Sequence, residues 1–518
     1  MSSLQEKLRA LGASGLRNIR RGIEKESLRV RPDGSLASDP HPRGLGSALS
    51  HPHITTDFSE SQLELITGVH TGVEACLEEL MRIHQFVYRH IGDQMMWCAS
   101  MPCGLPGDDA IPIGRYGSSN VGQAKTVYRI GLAHRYGRRM QTISGIHYNF
   151  SLPDVGDPNV AYFSLIRNFR RHSWLLLYLF GASPAVCASF VEGRKHELAE
   201  LKRGTMYRPG ATSLRMGPLG YQSDAQASLA VSYNCLDSYG ASLQDALTRP
   251  YAPYEAIGIR EPGSSGDGID SYRQLATTLL QIENEFYGTI RPKRVIRQGE
   301  RPLHALRERG VEYVEVRLMD LNPFEPIGIN AATIRLLDVF LLHCLLSESP
   351  PDTPQEIAAN ARNQHRVAAR GREPGLMLEN GSGERALPEW GREVLSACEP
   401  IAEALDRAHQ GTAYRDALAA ALATLEDPAP LPSARVLKAM AEEHENSYVR
   451  FVLRQSRQHR ETIGQLTLAP ADEARFAQMA QASIADQREI EASDSLPFEV
   501  FRQRYLSPER LGLQATAK

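Results

Sequence analysis

The stretch RGIEKESLRV, residues 21–30, constrains the fold more than any other part of the chain. Read as a strand, its two-residue period puts Glu24 and Glu26 side by side on one face, where two carboxylates repel each other. The same habit recurs elsewhere. In ISGIHYNFSL (143–152), Ile146, Tyr148, Phe150 and Leu152 face one way and His147 and Asn149 the other. In VEYVEVRL (311–318), Val314, Val316 and Leu318 oppose Tyr313, Glu315 and Arg317. TTDFSESQLELITG (55–68) adds Asp57 and Glu64 on a segment whose secondary structure the pattern leaves open. Each strand alone reads as the wet side of an antiparallel sheet. If the strands share one sheet, five carboxylates and an imidazole converge on a single surface, which repels itself strongly unless cations sit within it. Oxygen ligands with one imidazole suit Mg²⁺ or Mn²⁺ better than Zn²⁺. Mg²⁺ in such places usually bridges to phosphates, and Arg291 in IRPKR and Arg317 in EVR would then suit a transferring phosphoryl group.

The bulk numbers exclude other classes. At 518 residues, with 42% hydrophobic and 23% charged, the chain can bury a large core, enough for roughly two to four domains. A net charge of −3 gives no bulk attraction for nucleic acid or a membrane surface. The basic runs HRYGRR and RPKRVIR sit among apolar and turn residues and read as serving one anionic ligand at most. The first residues carry charges throughout and lack the apolar core of a signal peptide. The most apolar runs, WLLLYLFGA (174–182) and LLDVFLLHCLL (336–346), fall short of the roughly 20 residues that span a bilayer. The cysteines, at 76, 98, 103, 187, 235, 344 and 398, are scattered with no C-x-x-C, so reduced thiols in a cytoplasmic protein are the expectation. The chain has no GK dipeptide, G-x-G-x-x-G, H-E-x-x-H or G-x-S-x-G, so a nucleotide site would have to be built from sheet and metal rather than a phosphate loop.

Strand patterns interleave with helical ones at 72–92, 161–180 and 271–287 without a strict βαβ rhythm, which favours an antiparallel sheet in an α+β core. EPGSSGDGID (261–270) reads as a surface loop. SESPPDTPQE breaks the chain near residue 347; beyond it, interrupted by EDPAPLPSA (426–434), helical spacing runs to about residue 493 with no strand-like segment. The expected division is a catalytic α+β region over 1–346 and a mostly helical region over 347–518 packed on it.

Seven blocks carry a family resemblance: RGIEKESLRV, TTDFSESQLELITG, MQTISGIHYNFSLP, LFGASPAVCASF, ATSLRMGPLGY, LQIENEFYGTIRPKR and GVEYVEVRLMDLNPFEPIGI. In that order they resemble the proteobacterial class of glutamate–cysteine ligase (γ-glutamylcysteine synthetase), densely from about residue 18 to 345. The resemblance implies a curved antiparallel funnel of the glutamine synthetase-like type surrounded by helices. It implies ATP-dependent joining of the γ-carboxylate of L-glutamate to the amine of L-cysteine through γ-glutamyl phosphate, the first step of glutathione synthesis. Glu24, Glu26, Asp57, Glu64, His147 and Glu315 then match metal positions; Arg317 and, more weakly, Arg291 match phosphate-side arginines. Tyr128, Leu132, Gln141, Ile143, Asn149, Arg215, Tyr221 and Tyr287 match the amino-acid pocket. Mg²⁺ or Mn²⁺ as cofactor, a monomeric state and feedback inhibition by glutathione are further expectations. No added ATP-grasp domain is read after residue 345, which argues against a bifunctional enzyme that also adds glycine. Asp237, Glu283 and Glu285 read as structural, and His172 as a helix-face histidine. Ordinary packing competes with substrate contact at Leu132 and Ile143. The rival readings are a ligase of the same fold with another amine and a metal-dependent phosphohydrolase.

Overall fold

In a computed structural model, the protein is described over residues 4–202, 204–220, 224–227, 229–261, 268–297 and 299–512. Its strands in chain order are β1 (Arg20–Val30), β2 (Ile54–Thr56), β3 (Gln62–Ile66), β4 (Met95–Met96), β5 (Ile146–Ser151) and β6 (Ala185–Cys187). They are followed by β7 (Ala199–Leu201), β8 (Thr205–Tyr207), β9 (Ile290–Lys293), β10 (Tyr313–Met319), β11 (Met377–Asn380) and β12 (Gly383–Ala386).

The main sheet is antiparallel, ordered β2-β3-β1-β5-β10-β9, with β4 added at the end of β1. Its register decides which side chains meet. Glu26 lies opposite Glu64, Glu24 opposite His147, and Glu315 opposite both Asn149 and Arg291. Directly paired residues share a face, so the polar positions of four separate segments fall on one side. Between Val316 and Met319 the pairing of β10 with β5 shifts register, an irregularity of the kind that bends a strand and re-aims its side chains; Arg317 sits there.

The opposite face is apolar. Ile23, Leu63, Leu65, Tyr148, Phe150, Val314 and Val316 are buried in one core with residues of the helices Val73–Tyr88, Pro158–Phe180 and Ala331–Leu346. Burying each such side chain contributes roughly 1.5–3 kcal/mol. The helix expected at 161–180 begins earlier because Asp157 accepts hydrogen bonds from the amides of Asn159 and Val160 and Pro158 fits the first turn. One polar contact ties this face together: Arg21 Nη2 lies 2.9 Å from Asp338 Oδ2, and the Tyr148 hydroxyl donates to Asp338 Oδ1 at 2.6 Å.

The α+β class stands, and three expectations do not. The span 271–287 is no continuous helix: it holds only the single turns Ile269–Ser271 and Glu283–Glu285 at its ends. Glutamine and glutamate side chains take over the backbone there. Leu275 N–H donates to Gln281 Oε1, Gln281 N–H to Glu285 Oε2, and Gln274 Nε2 to the carbonyls of Tyr254 and Gly258. Beyond residue 347 a hairpin, β11–β12, does occur; it turns at Gly381 (φ 62°), after the Asn380–Gly381 pair that favours such turns. Third, Cys103 and Cys187 are joined in a disulfide, Cα–Cα 5.5 Å, while Cys76, Cys98, Cys235, Cys344 and Cys398 are free. The partners are 84 residues apart in sequence, and only tertiary folding brings the end of β6 beside the loop after β4. Of the loop expected at 261–270, residues 262–267 lie outside the described residues.

Helices beyond the break at residue 347 reach the main core: Ile401 and Leu405, on the helix Glu399–His409, are buried in the same cluster as the sheet, while Val436, Met440, Phe451 and Val452 belong to a second apolar cluster. A last helix, Phe498–Leu506, follows the expected helical limit. No helix among the described residues is long and apolar enough to cross a membrane.

Candidate functional site

All six carboxylate and imidazole positions singled out in the sequence line one cavity of about 360 Å³ on the polar face of the sheet. His147 is its hub. Its Nδ1 lies 3.2 Å from Glu24 Oε2 and 3.8 Å from Glu315 Oε1, and its Nε2 lies 3.6 Å from Glu26 Oε1. Glu24, Glu64 and His147 each offer a ligand atom within 4.8 Å of the others, the spacing of donors around one ion.

The cations stand on one flank. Arg317 Nη1 lies 3.1 Å from Glu315 Oε2, and Lys293 Nζ lies 3.2 Å from Glu315 Oε1. Burial opposes ionisation of Glu315, yet Lys293 and Arg317 hold its carboxyl well below the usual range. Burial and Glu315 likewise oppose ionisation of Glu24, but its hydrogen bond to His147 and the charge of Lys293 keep it low. Burial and the Arg317 charge lower the His147 pKa. On the other flank burial and acidic neighbours outweigh the cations: burial and Asp57 push Glu26 up to about 8 against Arg215 and Arg317, and burial with Glu24 raises Glu64 well above the ordinary value.

A divalent cation fits this donor set. Both carboxylate oxygens of Glu315 are buried and ion-paired with Lys293 and Arg317 but make no directed hydrogen bond, Asn149 Oδ1 is buried without a hydrogen-bond partner, and burial together with the neighbouring carboxylates drives Glu26 and Glu64 towards protonation. An ion between them removes that penalty and fills the open coordination.

The supporting shell is built close. Glu26 Oε2 accepts from the Gly145 amide at 2.7 Å, and a Cβ on Gly145 would lie 2.0 Å from Arg215 Nη2. Only glycine lets the Arg215 guanidinium approach there, where it donates to the Arg317 carbonyl at 2.9 Å. Arg291 lines the cavity and donates to the carbonyls of Asn284 and Phe286. Tyr128, Leu132, Gln141 and Tyr287 also line it, and Gln141 Nε2 donates to the Tyr287 hydroxyl at 2.9 Å. Arg215 instead lines a second cavity of about 400 Å³ that shares Tyr287 and Arg317 with the first. Asn149 donates to Glu24 Oε1 at 2.9 Å from within the sheet, and Ile143 is fully buried in an apolar cluster. Tyr221 lies outside the described residues.

Three further cationic residues of the cavity went unread in the sequence: Lys125, Arg129 and Lys293. The signals existed. Lys125 and Arg129 are one turn apart on the helix Asn120–Tyr136, which also carries Tyr128 and Leu132, and Lys293 follows Arg291 by the strand period. Burial lowers the Lys125 pKa to about 8, and Arg129 donates to the Asp57 carbonyl.

The residues expected to be structural are so placed. Glu283 pairs with Arg301 at 2.6 Å and Glu285 with Arg135 at 2.8 Å, while Asp237 is exposed. His172 is on a helix with its ring 6.1 Å from that of Trp390. The run HRYGRR is used up in such contacts: Arg138 and Arg139 bond to Asp108, Ile111 and Ser189. RPKRVIR, by contrast, sends Arg291 and Lys293 into the cavity.

Comparison with known proteins agrees with this geometry. A family model described as glutamate-cysteine ligase matches residues 5–367. The glutamate–cysteine ligase of Alcanivorax borkumensis is 47% identical over 525 residues, covering 98% of this chain and 99% of that protein. That of Pseudomonas aeruginosa PAO1 is 48% identical, covering 97% of each. The crystal structure of the Francisella tularensis glutamate–cysteine ligase in complex with AMP superposes with a TM-score of 0.89 at 36% identity, over 94% of this chain and 97% of that one. A bifunctional glutathione synthetase from Pasteurella multocida shares the fold, with a TM-score of 0.71 at 24% identity over 93% of this chain and 58% of its own. On sequence and structure together, the chain belongs to the glutamate–cysteine ligase family, enzymes of the first step of glutathione synthesis.

Proposed function

We propose that the protein couples ATP hydrolysis to joining the γ-carboxylate of L-glutamate to the amine of L-cysteine, and that the carboxylate wall is where the triphosphate is held. The observation that carries the reading is the meeting of Glu24, Glu26, Asp57, Glu64, His147 and Glu315 in one cavity with Arg317, Arg291 and Lys293 beside them. Those six residues would hold Mg²⁺ or Mn²⁺, which supplies neutralisation of phosphate charge.

The chain's own groups then position the reactants. A carboxylate is a poor electrophile, so the γ-oxygen of glutamate attacks the γ-phosphorus of ATP, the bond to the β,γ-bridging oxygen breaks, and ADP leaves. Arg317 and Lys293 face the charge that spreads over the transferring group. The free amine of cysteine, having given up its ammonium proton, attacks the acyl carbon of γ-glutamyl phosphate; the amide forms as phosphate departs with the acyl–oxygen electron pair. Tyr128, Leu132, Gln141 and Tyr287 give cysteine a close, partly apolar wall, and Arg215 suits an α-carboxylate. Ile143 and Asn149 support this pocket from behind, and Tyr221 is kept as a pocket residue from the family resemblance.

In this reading residues 1–346 carry the chemistry and 347–518 pack on them. A cytoplasmic monomer inhibited by glutathione remains part of it, as the family resemblance implies. The test is ADP release with Mg²⁺ and glutamate, adding cysteine, 2-aminobutyrate, ammonia or a polyamine in turn. Cysteine should give the highest kcat/KM and yield γ-glutamylcysteine. Preference for ammonia or a polyamine would move the substrate assignment, and phosphate release from ATP alone would favour a hydrolase.

A further inference from the structure

Arg215 reaches the second cavity from the single turn Leu214–Met216, an element too short to fix a long side chain by itself. Its guanidinium is gripped on two sides by one piece of chain. Nη2 donates to the carbonyl of Arg317 at 2.9 Å, and Nη1 lies 3.7 Å from Oδ1 of Asp320, the residue just past β10. Both side chains are shut off from solvent, 2% exposed for Arg215 and 0% for Asp320.

Asp320 lines neither cavity, yet its carboxylate is held from separate elements. Oδ2 accepts from the amide of Ala182, just past the helix Pro158–Phe180, at 2.8 Å, and Oδ1 accepts from the Ser213 hydroxyl at 3.0 Å. Ser213 in turn accepts from the Met216 amide at 3.3 Å, closing the turn that carries Arg215. Burial pushes the Asp320 carboxyl up, and the Arg215 charge opposes that rise. A carboxylate at such depth is costly unless it faces a cation, and Arg215 is the cation beside it. The end of β10 therefore does two things. The Arg317 side chain faces the carboxylate wall, while the Arg317 carbonyl and Asp320 set where Arg215 stands relative to it. Both arginines line the second cavity, so a substrate reaching from one to the other meets two charges whose separation a single strand end fixes.

We propose that Asp320 is a positioning residue of the ligation: directly and through Ser213, it holds the Arg215 guanidinium in the pose that receives the α-carboxylate of an amino-acid substrate. This rests on the reading of the chain as an amino-acid ligase. Asp320 touches no reactant and acts only through Arg215. Without the Asp320 charge the guanidinium stays cationic but loses its aim, and a displacement of about 1 Å is enough to cost a paired carboxylate contact much of its strength.

The test is a double-mutant cycle in the full chain: wild type, Asp320→Asn, Arg215→Ala and the two combined. Steady-state kinetics are measured beside thermal unfolding and calorimetric binding of L-glutamate and L-cysteine in the presence of ADP and Mg²⁺. Asparagine keeps the shape and an oxygen for the Ser213 hydroxyl but removes the charge. Asp320→Asn should raise KM for at least one of the two amino acids about tenfold, with kcat and KM for ATP within about threefold. On the Arg215→Ala background the same substitution should change that KM less than about twofold, because the group through which it acts is gone. An equal rise on both backgrounds would make Asp320 a support of the fold alone and overturn the proposal. Unchanged amino-acid KM values in Asp320→Asn or in Arg215→Ala would overturn it too, as would a rise confined to KM for ATP. Should Asp320→Asn unfold, Ser213→Ala removes one arm of the same support and should raise the same KM about threefold, and no rise there counts against the proposal. If the wild-type chain forms no γ-glutamylcysteine, the ligase reading fails, and the cycle in calorimetric amino-acid affinities still decides this one.

Discussion

Gly145 sits where two of the site's charges are set. Its amide feeds Glu26, and its missing side chain is the space the Arg215 guanidinium occupies. Gly145→Ala should therefore push Arg215 off the Arg317 carbonyl and cut kcat/KM for cysteine by at least about tenfold, with a thermal midpoint close to wild type. Steady-state kinetics beside a melting curve check this, and normal kinetics would contradict it. A second residue carries a pH signature. Lys25 faces the apolar side of β1, 2% exposed, with its Nζ 2.8 Å from His84 Nε2, and burial lowers its pKa from 10.5 to about 8. Between these values the unfolded chain binds more protons than the folded one, so this group makes stability rise with pH across that window, by about 3 kcal/mol in all. Urea unfolding of wild type against Lys25→Met should show the difference shifting in favour of wild type from pH 8 to 10.5; a constant difference would contradict the account. Residues differ in how legible they were. The strand period exposed Glu24, Glu26, His147 and Glu315 because alternation forces acids on an apolar-backed strand to share a face. Lys125 and Arg129 were missed because a cation on a helix ordinarily marks the solvated side, and only tertiary placement turns that side inward.

At the scale of elements, the main strands and the helices at 72–92 and 161–180 could be read because periodicity and packing agree there. They could not be read at 271–287, where apolar spacing suggests a helix but Gln274, Gln281 and Glu285 satisfy the backbone through side chains. Glu285 is central to that segment. It pairs with Arg135 at 2.8 Å with neither side chain exposed, accepts from the Tyr136 hydroxyl at 2.7 Å, and lies two residues before Tyr287. Removing one partner leaves a buried charge uncompensated, so Glu285→Ala should cost about 3–5 kcal/mol of unfolding free energy in denaturant titration. A loss under about 1 kcal/mol would mean the segment is held by other contacts. The hairpin β11–β12 escaped notice for a different reason: its strands are four residues each and only Leu378 among them is buried, so no apolar alternation marks them.

At the scale of the molecule, sequence pattern suggested a boundary near residue 347, and a chain break does fall there between the helices Ala331–Leu346 and Pro354–Arg370. The core ignores it. Helices from both sides of the break share one apolar cluster, and the last helix returns to the cavity built by the first half. Long-range returns of this kind leave no local trace in sequence, which is also why the Cys103–Cys187 bond was unread. What unites the molecule is an acidic wall that is costly to assemble unless divalent cations bind it. The most direct test is binding of ADP, followed by calorimetry with Mg²⁺, with Mn²⁺ and with chelator, to wild type and to Glu24→Gln and Glu64→Gln. The account predicts metal-dependent binding that weakens at least about tenfold in each variant while both stay folded; ADP affinity that is equal with chelator, or untouched by either substitution, would contradict it.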